Sequence, residues 1–203
     1  MDAYIDLSAS ASPPALAALD RMLKALQAAL RLPPHWDAGL EKKLDEAFEA
    51  YDQYIAIVVA QHPMSCRSGC TACCHDNPRG VSGLELKRLS QWIDQQPDRS
   101  ALHARFEALA DAKTNAATWR RQQIPCPLLA DDKCRAYALR PVACRAFHAL
   151  TPAAWCHPQD PNYAQRQNPH LDPPQVLLLA LKVLSERLGL PAPQDLHQGL
   201  ARP

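Results

Sequence analysis

The chain has little of what marks the commonest functions. It carries only six glycines in 203 residues, and none of them builds a G-x-G-x-x-G loop, so the usual cradle for a nucleotide phosphate is missing. No alternation of strand and helix patterns is visible, which removes the βαβ unit that holds such a cradle. Charge of one sign is also scarce: 22 Lys and Arg against 21 Asp and Glu leave a net charge of +1. The basic residues are scattered, so there is no footprint for nucleic acid or for an anionic membrane surface. The longest apolar run, Val176 to Leu181, falls far short of the roughly 18–20 residues that cross a bilayer. The opening Met-Asp-Ala-Tyr-Ile-Asp-Leu-Ser is acidic and lacks the basic start and apolar stretch of a secretory signal. There is no internal repeat and no low-complexity tract. The expectation is a cytoplasmic protein with no nucleic-acid and no membrane partner, and with room for a protein partner.

Cysteine is abundant instead. Eight cysteines fall in two bursts, Cys66, Cys70, Cys73 and Cys74, then Cys126 and Cys134 followed by Cys144 and Cys156. A disulfide framework is one way to use an even count, with about a hundred pairings open to it. The expected compartment opposes that use, because cytosolic thiols stay reduced. Thiolates at two- and three-residue spacing can instead point at one centre, as in zinc and iron–sulfur sites. Cys66 and Cys70 share a face over one helical turn, and Cys70 and Cys73 form a C-x-x-C pair. Gly69 permits a left-handed backbone between them. Side chains of adjacent residues diverge, so Cys74 serves the far side of the same metal or a second one. Eight thiols exceed the four that one zinc or one simple cluster needs. Either two metals bind, or some cysteines are free or redox-active.

The rest of the pattern is helical. Ser12-Pro13-Pro14 reads as a helix start, with the Ser12 oxygen as cap. Leu16, Leu19, Leu23, Leu26 and Leu30 follow at helical spacing until Pro33-Pro34 stops the run. A second helix after Asp37 carries Leu40, Leu44, Phe48, Tyr51, Ile55 and Val58 on one face. Ser82-Gly-Leu-Glu85 reads as a capping box opening a helix with Leu84, Leu86, Leu89, Trp92 and Ile93. Another helix is predicted from about Arg99 to Gln123, with Leu102, Phe106, Leu109, Ala117 and Trp119. The following stretch to Pro174 is punctuated by prolines, with one helical turn over Arg135–Leu139. Such a segment needs an ordering device to offset backbone entropy, and metal coordination is one. A last helix, about Pro174 to Leu188, is closed by Gly189 and a Pro-rich tail. The predicted fold is mainly α: a helical hairpin (1–61), a cysteine-cluster metal-binding region (62–150) and a C-terminal segment with one helix (151–203), all one domain.

Arg140 and Arg145 bracket Cys144 and are candidates to offset the negative charge of a thiolate centre by hydrogen bonding to sulfur. His75, His148 and His157 lie near cysteines and are candidate nitrogen ligands, His75 foremost. His35, His62, His103, His170 and His197 read as surface or helix-end residues.

The pattern Cys66-x3-Cys70-x2-Cys73-Cys74, Cys126-Pro-Leu-Leu and Cys134-x2-Tyr137-x2-Arg140-Pro141-x2-Cys144-Arg145-x-Phe147 resembles the zinc- or iron-chelating CxxCxxCC domain family. These are the YkgJ-type cysteine cluster proteins, related to the flagellin N-methylases. The resemblance covers roughly residues 62–150. It implies metal binding by Cys66, Cys70, Cys73, Cys74, Cys126, Cys134 and Cys144. Cys156 lies outside the shared pattern and is the eighth candidate ligand. Methylase activity belongs to a longer relative. The spacing Cys66-x3-Cys70-x2-Cys73 also resembles radical S-adenosylmethionine enzymes, but the strand–helix alternation of their barrel is missing. Three roles stay open: a metal protein in redox chemistry, metal handling or structure; a metal-dependent protein-modifying enzyme; and a zinc-stabilised protein-binding adaptor. The high thiol count favours an iron–sulfur cluster over zinc.

Overall fold

A computed structural model of the chain describes residues 12–61, 64–66, 69–75, 80–112, 125–157, 159–165 and 174–201. The fold is mainly helical, as the periodicity predicts. In chain order it has α1 (Pro13–Arg31), α2 (Ala38–Ala60), α3 (Gly83–Asp94), α4 (Arg99–Ala112), the two-residue strands β1 (Leu129–Ala130) and β2 (Lys133–Cys134), a four-residue turn of helix α5 (Val142–Arg145), α6 (Gln175–Arg187) and α7 (Leu196–Ala201). Short 3-10 turns cover Ala72–His75, Tyr137–Leu139, Ala153–Cys156 and Tyr163–Gln165. Among the described residues, no helix is long and apolar enough to cross a membrane.

The hairpin forms, with two corrections to its sequence reading. Ser12 stands at the N-cap of α1 but its side chain makes no capping bond. Pro13 and Pro14 remove two of the free amides of the first turn, and the Ser12 hydroxyl accepts instead from Gln61 Nε2 at 3.4 Å. The buried stripe of α1 is Ala15, Ala18, Met22, Ala25, Leu26 and Ala29, whereas Leu16 is 52% exposed. Of the predicted leucines, Leu26 is buried and Leu19 and Leu30 pack against the core at its edge, while small alanines fill the centre of the face and let α1 lie close against α2. In α2 the predicted face is buried throughout: Leu40, Leu44, Phe48, Tyr51, Ile55 and Val58. Asp37 caps it by accepting from the Leu40 amide at 2.8 Å.

Two apolar clusters form the core. One joins α1, α2 and α6 with Leu84 and Val142; the other gathers Leu86, Leu89, Ile93, Leu102, Phe106, Leu128, Ala136, Leu196 and Leu200. Helix α3 contributes to both, and further bonds tie it in place. The Leu84 amide donates to Ser185 Oγ of α6 at 3.1 Å. Arg88 pairs with Glu41 and Asp45 of α2 and lies over the Phe48 ring.

The segment predicted as irregular holds a small hairpin, with Leu129 opposite Cys134 and Ala130 opposite Lys133. Asp131 and Asp132 both adopt positive φ, 48° and 54°, the conformation of the two-residue turn that matches strand twist. The predicted turn over Arg135–Leu139 appears as Tyr137–Leu139. The Pro-rich tail is corrected: it pairs with the segment before α3 through a Val81–Gln194 bridge and then forms α7. His197, predicted at the surface or a helix end, stands in the first turn of α7 yet is fully buried against Phe106, ring centroids 5.9 Å apart. The predicted extension of α4 through Ala117 and Trp119 to Gln123 lies outside the described residues, as do His62 and His170.

Candidate metal centre

The two cysteine bursts are far apart in sequence and are brought together by backbone bonds. The Cys126 amide donates to the Cys74 carbonyl at 2.8 Å, and the Ser65 amide to the Ala149 carbonyl at 2.7 Å. The first burst is therefore stitched at both ends to chain from the second. Within it, Gly69 has φ +82°, the left-handed conformation expected of a glycine at that turn. Cys73, Cys74 and His75 lie on the 3-10 turn.

The second burst is held from below. Glu85 completes the predicted capping box: its Oε2 accepts from the Ser82 amide at 2.8 Å, and Ser82 Oγ accepts from the Glu85 amide at 3.3 Å. Its other oxygen accepts from the Val142 amide at 2.7 Å. A helix-capping carboxylate thus also fixes the start of α5, which carries Cys144. Arg135, beside Cys134, makes a two-pronged bond to Asp98 at 2.7 and 2.8 Å and holds that carboxyl below its usual range.

The two candidate arginines occupy different places. The Arg145 side chain is 1% exposed and pairs with Asp52 of α2. Its Nε donates to the Arg140 carbonyl at 2.7 Å, a further nitrogen donates to the Ala138 carbonyl, and the guanidinium lies 5.0 Å from the Phe48 ring centre. These bonds lock the chain on either side of Cys144. Arg140 lies over the Tyr137 ring at 3.5 Å, and its charge offsets a small part of the upward shift that other groups impose on Cys73 and Cys134. Asp52, Phe48 and the Ala138 and Arg140 carbonyls were not legible as site residues, since the pattern of α2 marks Phe48 only as core.

Seven cysteines are half-buried and Cys156 is buried. Burial raises the Cys66 thiol, which the Ala149 amide partly offsets by donating to its Sγ at 3.2 Å, and Cys70 and Cys73 raise it further. Cys73 is raised by a hydrogen bond with Cys74, then by burial. Burial raises Cys134, with Cys73 adding to it. Cys144 is pushed well up by burial and by Cys126, Cys73 and Cys134. Cys144 feels thiols of both bursts, and Cys73 is the first-burst thiol that acts on Cys66, Cys134 and Cys144 alike. Several thiolates so close cannot all ionise unless a cation compensates them.

The structure thus gathers Cys66, Cys70, Cys73, Cys74, Cys126, Cys134 and Cys144 in donor type and in neighbourhood. Among the described residues, however, no three His, Cys, Asp or Glu side chains stand in metal-ligating geometry. Protonated thiols hydrogen-bond to one another, as Cys73 and Cys74 do, and closing onto an ion needs their deprotonation. The soft thiolate set fits zinc or iron.

Cys156 ends the Ala153–Cys156 turn, which packs on the Ala72–His75 turn. The rings of His75 and His157 meet there at an angle of 53°, centroids 4.8 Å apart. His148 Nε2 lies 3.1 Å from the Arg145 carbonyl oxygen, and burial lowers its pKa.

The sequence profile of the CxxCxxCC family, described as a "Putative zinc- or iron-chelating domain", matches residues 65–168. That is just over half of the chain. It reaches past residue 150 and so takes in Cys156 and His157, beyond the span read from the motif alone. No curated protein and no solved structure matches the chain significantly.

Proposed function

The chain belongs to the CxxCxxCC family of zinc- or iron-chelating domains, and from that premise we propose that thiolates of both cysteine bursts hold one metal centre. The supporting observation is the convergence of the bursts: the Cys126–Cys74 backbone bond and the mutual influence of Cys73, Cys134 and Cys144. The ligands are drawn from Cys66, Cys70, Cys73, Cys74, Cys126, Cys134 and Cys144, with Cys156 as reserve. Arg140 offsets their charge, and Arg145 holds the α5 turn that presents Cys144. Iron as an iron–sulfur cluster is the first reading, because the thiol count exceeds what a single zinc needs. Bound, such a cluster supplies one-electron chemistry, whereas zinc supplies a structural cross-link. The reading carries a cytoplasmic setting, where these thiols stay reduced.

Anaerobic purification, an absorption spectrum and elemental analysis on one sample test this. Iron with acid-labile sulfide and visible absorption supports the cluster. Colourless protein with stoichiometric zinc replaces the cluster with a structural zinc site. Protein that takes up neither zinc nor iron overturns the metal reading altogether.

A further inference from the structure

His148 has an arrangement that ordinary core histidines lack. Its Nε2 faces the Arg145 carbonyl oxygen at 3.1 Å. A carbonyl only accepts, so the ring proton sits on Nε2 and Nδ1 carries a lone pair. Nδ1 is shielded from solvent and has no hydrogen-bond partner. Protonating it would leave a buried N–H without an acceptor, which is also unfavourable. The ring is therefore a neutral imidazole, oriented by a backbone carbonyl on one side, with an unused electron pair on the other. Metal-bound imidazoles are oriented in the same way.

Its position adds a second argument. The next residue, Ala149, is stitched to the first burst twice: its amide donates to Cys66 Sγ at 3.2 Å, and its carbonyl accepts from Ser65 at 2.7 Å. Arg140, whose charge acts on His148, also acts on Cys73 and Cys134. His148 thus belongs to the same neighbourhood as thiols from both bursts.

We propose that His148 gives Nδ1 as a nitrogen donor to the zinc or iron held by the thiolates, making the centre mixed sulfur–nitrogen. This rests on the metal reading above and names a ligand that reading does not include. A neutral imidazole in place of one thiolate removes one negative charge from the centre and spares one cysteine from ligation. It also gives the Arg145 carbonyl a role, that of fixing which nitrogen keeps the proton.

The test loads the full chain, labelled with nitrogen-15 histidine, with cadmium-113 as a spin-active stand-in for zinc. The expected result is one histidine ring coupled to cadmium through Nδ1 and protonated at Nε2, assigned to His148 by through-bond correlation. His148→Ala should abolish that coupling and weaken metal binding by about tenfold or more, as changes around a ligand do, whereas His75→Ala should keep it. Cadmium bound with no nitrogen coupling, or a coupling that survives His148→Ala, overturns the proposal alone. A wild type that takes up no cadmium, zinc or iron overturns the metal reading and this proposal together. Should His148→Ala fail to fold, the assigned spectrum of the wild type decides by itself.

Discussion

The Cys126 amide donates to the Cys74 carbonyl at 2.8 Å, so the last residue of the first burst and the first residue of the second share one backbone bond. The contact makes the two bursts one structural unit. A ligand bound to thiols of both then couples to folding, because the unfolded chain has no such site. Chelating the metal should destabilise the protein by about 3 kcal/mol when free metal had stood at roughly 100 times its dissociation constant. For a chain of this size that is roughly 6–12 °C in Tm. Cys73→Ser and Cys134→Ser should each lower metal content and soluble yield. Unchanged metal stoichiometry in both variants would remove these two residues from the ligand set.

The helices and the cysteine unit were largely legible because each rests on a local rule. The α2 stripe, the Ser82–Glu85 box and the Gly69 turn all follow from spacing within a few residues. The parts that were not legible depend on distant partners. The α1 face was legible only in part: Leu26 is buried as its spacing predicts, but Leu16 is exposed, because close helix contact here also selects Ala15, Ala18, Ala25 and Ala29, which carry no strong burial signal. His197 and α7 were missed because their burial comes from α4, which lies far upstream in sequence. The roles of Arg145 and Asp52 were hidden for a similar reason: their pairing spans 93 residues, and nothing in either local pattern announces it.

Arg145 offers a direct check on how the second burst is held. Its buried guanidinium serves Asp52 and the Ala138 and Arg140 carbonyls at once. Arg145→Ala should cost about 1–3 kcal/mol, the range for leaving buried acceptors unpaired, because Asp52 is 42% exposed and keeps its hydration. Arg145→Lys should recover little of it, since an ammonium cannot reproduce the planar fork that reaches three acceptors. Urea unfolding of the three proteins measures this; a lysine variant as stable as wild type would show that the charge matters and the fork does not.

Glu85 gives the fold a pH dependence of defined sign. Burial raises its pKa above the ordinary carboxylate value, and bonds from Ser82 and Val142 and the charge of Arg145 only partly offset that. The folded state therefore holds the proton more tightly than the unfolded state. The contribution of Glu85 to stability is fully present below the unfolded pKa of about 4.3 and is lost as pH rises through the higher folded value. Glu85→Gln does not titrate, and its amide group opposes one of the donors, which costs about 1–3 kcal/mol. The stability gap between wild type and Glu85→Gln should accordingly be widest at acid pH and narrow as pH rises. Denaturant midpoints across the acid-to-neutral range check this, and a gap that widens with pH would contradict the raised pKa.

Gly83 and Gly199 test the contacts that close the C-terminal segment over α3. A Cβ on Gly83 would lie 2.4 Å from the Pro191 carbonyl oxygen, and one on Gly199 2.4 Å from Leu86 Cδ1. The obstacle differs in kind. Pro191 presents backbone, which can move only by displacing the chain before the Val81–Gln194 bridge, whereas Leu86 presents the end of a side chain that can change rotamer. Gly83→Ala should therefore fall at the upper end of the roughly 1–3 kcal/mol expected for overpacking, and Gly199→Ala at the lower end. Alanine also favours helix over glycine by up to about 1 kcal/mol, which narrows the loss further at Gly199 inside α7. Thermal unfolding of the two variants side by side should rank them in that order. The reverse order would mean that the chain around Pro191 yields more readily than the Leu86 side chain.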